Sequence, residues 1–149
     1  MSEVLTSDLK SPQYGSGTGG NPFDDSGFGN HPITRILIRS GTKVDAIQVT
    51  YGNQTAPMHG SSSEGRPFDI SLAPGEQIIA VFGRSGSAID QIGFVTQLSD
   101  KTLRRHGPFG GTRGNPFYII GKALSFFGRS GSALDAVGVY VEPPVLVSA

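Results

Sequence analysis

The sequence predicts an all-β domain built from three copies of one antiparallel unit, and two recurring motifs with alternating apolar runs between them carry that prediction. The first motif is Gly41-Thr-Lys-Val-Asp45-Ala-Ile-Gln-Val. It returns 45 residues later as Gly86-Ser-Ala-Ile-Asp90-Gln-Ile-Gly-Phe, and after another 45 as Gly131-Ser-Ala-Leu-Asp135-Ala-Val-Gly-Val. The second and third copies share the longer string Phe-Gly-Arg-Ser-Gly-Ser-Ala, at Phe82 to Ala88 and Phe127 to Ala133, whereas the first keeps only Arg39-Ser40-Gly41 before diverging. The second motif is a glycine-rich loop ending in Pro-Phe. Tyr14-Gly-Ser-Gly-Thr-Gly-Gly-Asn-Pro-Phe23 matches His59-Gly-Ser-Ser-Ser-Glu-Gly-Arg-Pro-Phe68. A third version, His106-Gly-Pro-Phe-Gly-Gly-Thr-Arg-Gly-Asn-Pro-Phe117, aligns with two extra residues and places His106 where Tyr14 and His59 stand. Self-similarity at a fixed period is the mark of a repeat architecture.

The segments between the motifs read as strands. In Ile47-Gln-Val-Thr-Tyr51 the apolar residues Ile47, Val49 and Tyr51 alternate with Gln48 and Thr50, and Val137, Val139 and Val141 alternate likewise. Ile78-Ile-Ala-Val-Phe82 is a continuous apolar run, as expected of a more buried strand. Glycine or proline interrupts every apolar run within about ten residues, so no amphipathic helix fits, and the connections are too short for helical crossovers. Units of this size cannot each bury an apolar face alone. Three of them around a pseudo-threefold axis share one core, as a three-sheet prism or a three-bladed propeller. The period by itself leaves both open.

Composition narrows the function. The 149 residues suit one domain. Twelve basic residues balance twelve acidic ones, which lacks the electrostatic footprint of a nucleic-acid binder or of a protein drawn to anionic membranes. With no cysteine, disulfides and thiolate metal sites are excluded. No stretch has the length of a membrane span, so no membrane insertion is expected, and the N-terminal decapeptide lacks a signal-peptide core. A cytoplasmic or otherwise soluble protein is the expectation; Asn53-Gln54-Thr55, a glycosylation sequon, matters only after secretion. The 22 glycines and 10 prolines cluster between apolar runs, punctuating strands instead of spreading through a disordered segment.

The three aspartates Asp45, Asp90 and Asp135 are the functional candidates. A carboxylate four residues after a glycine, on a loop whose backbone N–H groups point outward, makes a shallow cup of donors and an acceptor. Adjacent sugar hydroxyls, which both donate and accept, suit such a cup. The alternative is that each aspartate closes its own turn by accepting from local N–H groups.

The Gly-Gly loop, the His106-Gly-Pro-Phe-Gly segment before Pro-Phe and the closing run from Phe126 to Tyr140 resemble the jacalin-related lectins over residues 14–142. That resemblance implies a β-prism of three four-stranded antiparallel sheets, with 1–13 as an N-terminal extension and 143–149 as a tail. It implies a carbohydrate site made of Gly131, Ser132, Ala133, Leu134 and Asp135 with Gly19 and Gly20, in which Asp135 accepts from two hydroxyls while the N–H groups of Ser132, Ala133 and Gly20 donate. Pseudo-symmetry extends it to Gly86, Ser87, Ala88, Ile89 and Asp90 with Gly114, and to Gly41, Thr42, Lys43, Val44 and Asp45 with Gly65. Glu64 and Arg113 stand where the first loop has Gly19, so these two depart from the pattern. Because thirteen residues precede Tyr14 in a continuous chain, the sequence looks like the mannose/glucose-preferring branch, with mannose- or glucose-containing glycans as partners, no cofactor and no metal. Exposed sheet edges and family habit make a homodimer a candidate assembly.

Other readings are weaker. Gly15-Ser-Gly17-Thr-Gly-Gly20 matches a dinucleotide fingerprint but lacks its strand and helix. A glycosidase needs two carboxylates about 5–10 Å apart, and each candidate site repeats only one. Asp24 and Asp25 beside a glycine loop suggest calcium, yet no acidic ladder accompanies them, and a solvated turn is preferred. Arg39, Arg84 and Arg129 recur ahead of the aspartates, where they could rim the sites or pair with nearby acids, and solvated surface is the preferred reading. A structural interaction protein without sugar affinity is the main alternative to a lectin.

Overall fold

The computed structural model describes residues 2–4, 9–143 and 145–147. In chain order its strands are β1 (Ser2–Val4), β2 (Leu9–Lys10), β3 (Tyr14–Gly15), β4 (Asn21–Asp24), β5 (Ile33–Ser40), β6 (Val44–Tyr51), β7 (Gln54–Thr55) and β8 (His59–Gly60). They continue as β9 (Arg66–Ser71), β10 (Gln77–Ser85), β11 (Ile89–Gln97), β12 (Leu103–Gly110), β13 (Asn115–Ile120), β14 (Ala123–Ser130), β15 (Leu134–Val141) and β16 (Val145–Val147). A single 3₁₀ turn, Ser26–Phe28, is the only helical element among the described residues.

Three antiparallel sheets form a β-prism. Each is centred on one long hairpin: β5–β6, β10–β11 or β14–β15. The Pro-Phe strand after the glycine loop pairs on one side of it, as β9 on β5, β13 on β10 and β4 on β14. On the other side lies an edge strand, continuous as β12 but broken into β7 and β8 in one sheet and β2 and β3 in another. The hairpin of each sheet thus precedes its own glycine loop in the chain, except that the last hairpin takes the first loop. Strands from both ends of the chain complete that sheet. Near the chain ends, β1 and β16 also pair with each other.

Repetition extends to the irregularities. Each hairpin has a bulge opposite its Arg-Ser pair, between Arg39/Ser40, Arg84/Ser85 and Arg129/Ser130, where Asp45, Asp90 and Asp135 are the extra residues on the second strand. A second bulge near the hairpin's other end lies at Ile33/Arg35, Ile78/Ala80 and Ala123/Ser125. An extra residue bends the strand and re-aims the side chains beyond it. This second bulge corrects one expectation: of the run Ile78–Phe82 only Ile78 and Val81 are buried, because the bulge changes which residues face inward. Phe82 instead lies on the outer face, over Gly93 and stacked with Arg105.

The inward face of each hairpin supplies the shared core. Ile36, Val81 and Phe126 are threefold counterparts, as are Val44, Ile89 and Leu134, and Val49, Phe94 and Val139; all are essentially inaccessible to solvent. Fully burying such a side chain contributes about 1.5–3 kcal/mol. A ring of three aromatic contacts links the sheets. Tyr14 stacks on Phe117 at 5.0 Å between centroids, His59 on Phe23 at 3.8 Å, and Phe109 meets Phe68 at 5.0 Å.

This ring resets the alignment of the third glycine loop. Tyr14, His59 and Phe109 pair with Val137, Ile47 and Ile92, each two residues after its aspartate. Phe109, not His106, is therefore the counterpart of Tyr14, and the third loop is one residue shorter than the others. His106 lies earlier in β12, paired with Phe94. The flexible spacing of Gly, Thr and Arg in the loop disguised this in one dimension.

Candidate functional site

At each prism corner three things converge: a Gly-x-x-x-Asp loop, the end of a glycine loop and an arginine. The bulge opposite Arg-Ser leaves the aspartate itself as the unpaired residue that closes the Gly-x-x-x-Asp loop, in which the glycine N–H donates to the carbonyl two residues on. That bond is 3.0 Å in all three copies, Gly41 to Lys43, Gly86 to Ala88 and Gly131 to Ala133. The aspartate carbonyl then anchors the start of the glycine loop, accepting from Ser16, Ser61 or Gly111 N–H at 2.9, 2.9 and 2.7 Å. In the first two loops the serine hydroxyl accepts from the loop's own backbone. Ser16 Oγ takes Thr18 and Gly19 N–H at 3.1 and 2.6 Å, and Ser61 Oγ takes Ser63 and Glu64 N–H at 3.2 and 3.0 Å. Gly111 cannot do this.

The last glycine of each loop lies against the carboxylate. Gly20, Gly65 and Gly114 have φ of +63°, +74° and +78°, which glycine adopts without strain. A Cβ at Gly20 would fall 2.5 Å from Asp135 Oδ2, one at Gly114 2.6 Å from Asp90 Oδ2, and one at Gly65 closer still to Asp45 Oδ2. All the predicted site residues are thereby gathered into three corners: Gly131–Asp135 with Gly19 and Gly20, Gly86–Asp90 with Gly114, and Gly41–Asp45 with Gly65.

The hydrogen-bond pattern bears on the turn-closing alternative. Among the described residues no internal donor reaches the carboxylates of Asp45, Asp90 or Asp135, although Asp24, Asp25, Asp69, Asp100 and Glu76 all accept bonds. Nor does any internal acceptor take the N–H groups of Ser132, Ala133 and Gly20, or their counterparts at the other two corners. Each corner therefore presents a carboxylate acceptor beside several backbone donors.

The corners differ electrostatically. Asp90 and Asp135 are partly exposed, but Asp45 is only 6% exposed. Burial pushes the Asp45 carboxyl above the ordinary aspartate range, with Glu64 adding to the shift and Lys43 and Arg39 opposing it.

Sequence reasoning missed the role of the arginines. Arg129 Nε donates to Gly19 O at 2.8 Å and its terminal nitrogen to Gly20 O at 3.0 Å and Thr18 O at 3.4 Å. Arg39 holds Glu64 O and Gly65 O at 2.9 and 3.0 Å, and Arg84 holds Arg113 O and Gly114 O at 3.3 and 2.6 Å. Each guanidinium pins its glycine loop to the hairpin. The signal was present, because the arginine stands six residues before every aspartate. The carbonyls it serves lie in a distant part of the chain.

The Asp24-Asp25 pair is also not a solvated turn. Asp25 is buried, accepting from Tyr51 Oη at 3.1 Å, with His59 Nε2 at 2.9 Å, while Asp24 accepts from Ser26 N–H and Tyr140 Oη. Tyr51 Oη in turn accepts from Phe126 N–H, so Asp25 and Tyr51 tie two sheets together.

Comparison with known proteins places this geometry in a family. Against the curated proteins the sequence finds no match. Malaysian banana lectin shares the fold with a TM-score of 0.78 and 32% identity, covering 92% of this chain and 99% of that one. A mannose-binding jacalin-related lectin from Ananas comosus gives 0.77 and 31% identity, with 92% and 99% covered. A mannose-specific jacalin-related lectin from Morus nigra, solved in complex with mannose, gives 0.76 and 26%, with 93% and 96% covered. No helix among the described residues is long and apolar enough to cross a membrane. Residues 11–140 match the jacalin-like lectin domain, and the chain belongs to that family.

Proposed function

We propose that this protein is a non-catalytic lectin for mannose- or glucose-type glycans, with up to three sites at the three corners. The observation that carries this reading is the pairing, at each corner, of a carboxylate that receives no internal hydrogen bond with backbone N–H groups that have no internal acceptor. A pyranose with adjacent hydroxyls matches both: Asp135 accepts from two hydroxyls, and the Ser132, Ala133 and Gly20 N–H groups donate to sugar oxygens. The mannose-binding lectins of Ananas comosus and Morus nigra support the choice of sugar. Among the described residues no second carboxylate shares a corner with Asp90 or Asp135, which argues against glycoside hydrolysis.

The sites rank Asp135, then Asp90, then Asp45. The first has Gly19 beside Gly20, the second has Arg113 in that position, and the third has Glu64 beside a buried carboxylate. One monosaccharide per site gives an affinity of about 1 mM, about −4 kcal/mol. Simultaneous engagement of clustered glycans raises avidity by roughly 10²–10⁴. Calorimetry with methyl α-mannoside in chelator should show weak saturable heat, and crystals soaked in mannose should show sugar first at Asp135. Absence of sugar from all three corners leaves the interaction-protein reading in its place. Release of reducing sugar from an oligosaccharide by the pure protein would instead make it an enzyme.

The outer face of the β10–β11 sheet supports self-association as a homodimer. Tyr118 and Ile120 on β13 are 66% and 76% exposed, beside a cavity of about 480 Å³ that also touches Phe82 and Val95. At the matching registers the other sheets carry Asp24 and Asp69 in place of Tyr118, and Ser71 in place of Ile120. An apolar patch on one face of three fits a copy of itself across a twofold axis.

A further inference from the structure

We propose that the Asp90 corner selects a hexose bearing an anionic ester, a phosphate or sulfate, whereas the Asp135 corner takes the neutral sugar. This deepens the lectin reading and rests on it. A cavity of about 350 Å³ opens at the Asp90 corner, lined by Asp90, Gly111, Thr112 and Arg113 of one sheet and by Thr42 and Lys43 of the neighbouring hairpin loop. The two sheets meet so closely here because residue 111 is glycine and its loop is one residue short. A Cβ at 111 would run into the Thr42 carbonyl oxygen, and Ser16 or Ser61 stands at this place in the other loops. The wall of the Asp90 corner is thereby built partly from its neighbour.

That wall carries two cations, Lys43 and Arg113. Both are exposed, and neither head group forms an ion pair among the described residues. Against the single carboxylate of Asp90 the cavity lining has a net charge of plus one. The threefold relation puts Ala88 and Gly19 at the corresponding places around Asp135, and Ala133 and Glu64 around Asp45. The rim is therefore neutral at Asp135 and cationic at Asp90, whereas at Asp45 Glu64 stands opposite Lys43 of that corner's own loop, on one scaffold that keeps the same carboxylate and N–H groups. Lys43 also feels Asp45, whose carboxyl it stabilises as the anion, so it stands between the two carboxylates. Arg84 is occupied with the Arg113 and Gly114 carbonyls and is not available to a ligand. A hexose seated on Asp90 and the Gly114 loop can direct an exocyclic ester toward Lys43 and Arg113, where ammonium and guanidinium each donate to its oxygens.

The test uses the Asp45→Asn/Asp135→Asn protein, which leaves the Asp90 corner intact, and calorimetry with methyl α-mannoside, mannose 6-phosphate, mannose 6-sulfate and inorganic phosphate at fixed ionic strength. Two exposed charge contacts predict that an ester-bearing mannose binds about five- to tenfold tighter than the neutral mannoside. The preference should shrink at high salt and fall toward unity in Lys43→Met/Arg113→Met. The phosphate and sulfate arms show which ester the corner prefers. Equal or tighter binding of the neutral sugar overturns the proposal and leaves the lectin reading standing. Inorganic phosphate binding as tightly as the sugar ester also overturns it, since the cations would then act without the sugar cup. Failure of the wild-type protein to bind any sugar instead removes the function on which the proposal rests. Should the double variant fold poorly, amide shifts of Ser87, Ala88 and Gly114 in the wild-type protein report the same corner, and their saturation must come at lower concentration with the ester.

Discussion

Adding one methyl group at Gly20 should silence the Asp135 corner while leaving the fold intact. Gly20 sits at φ +63°, and placing an L side chain in that region costs about 1–2 kcal/mol. The new Cβ would lie 2.5 Å from Asp135 Oδ2 and collide with the Ser130 carbonyl, so both the carboxylate and the loop backbone must shift, and a displacement of about 1 Å is enough to spoil a site. Losing one charge-assisted hydrogen bond of about 1.5–3 kcal/mol weakens binding roughly 10- to 150-fold, from about millimolar to beyond calorimetric reach. The backbone cost should also lower the melting temperature by about 3–8 °C for a domain of this size. Gly17→Ala is the matched control in the same loop, since a Cβ there meets nothing within 4 Å and its φ is not positive. Both variants belong in an Asp45→Asn/Asp90→Asn background, titrated with methyl α-mannoside and melted by circular dichroism. Gly17→Ala should match its parent in both measurements. A folded Gly20→Ala protein that binds mannoside as its parent does would refute the assignment of this corner as the sugar site.

Arg129→Ala releases the carbonyls of Thr18, Gly19 and Gly20, and because the guanidinium is partly exposed the net loss is about 1–2 kcal/mol, or roughly five- to thirtyfold in affinity at Asp135. Arg129→Lys should recover only part of this, since an ammonium lacks the planar fork that serves several acceptors; full recovery would show that charge alone matters. Asp45→Asn tests the buried carboxyl through the pH dependence of stability. Burial raises its pKa in the fold, so its favourable contribution is complete below the ordinary aspartate range and is lost as pH rises through the raised value. The variant should therefore melt higher than wild type at neutral pH and converge with it in acid, and a variant that melts lower at neutral pH would contradict the dominance of burial. Tyr118→Asp with Ile120→Ser should leave a monomer in sedimentation equilibrium where wild type is a dimer; a monomeric wild type at about 100 μM would remove the homodimer reading.

The three-part, all-β architecture was legible in one dimension because its signals are local or periodic. The 45-residue spacing of Asp45, Asp90 and Asp135, the alternation in β6 and β15, and the glycines at tight turns each arise from backbone geometry that a few neighbouring residues impose. Periodicity was equally compatible with a prism and a propeller, and resemblance to a family, not physics, selected the prism. The pairing of Gly19 and Gly20 with Asp135 likewise came from that resemblance, since more than a hundred residues separate them. Tertiary structure decided what depends on contacts between sheets. Bulges changed which residues of Ile78–Phe82 face inward, because one extra residue reverses the parity of a strand. The pairing of Phe109 with Ile92, its ring tilted against Phe68, fixes the third glycine loop as one residue short, and spacing alone could not find that register. Arg39, Arg84 and Arg129 became loop clamps because their acceptors are backbone carbonyls, which carry no residue-type signature. Lys43 entered the Asp90 corner only because Gly111 lets two sheets touch, so the charge of that rim belongs to the packing of the prism and to neither loop alone.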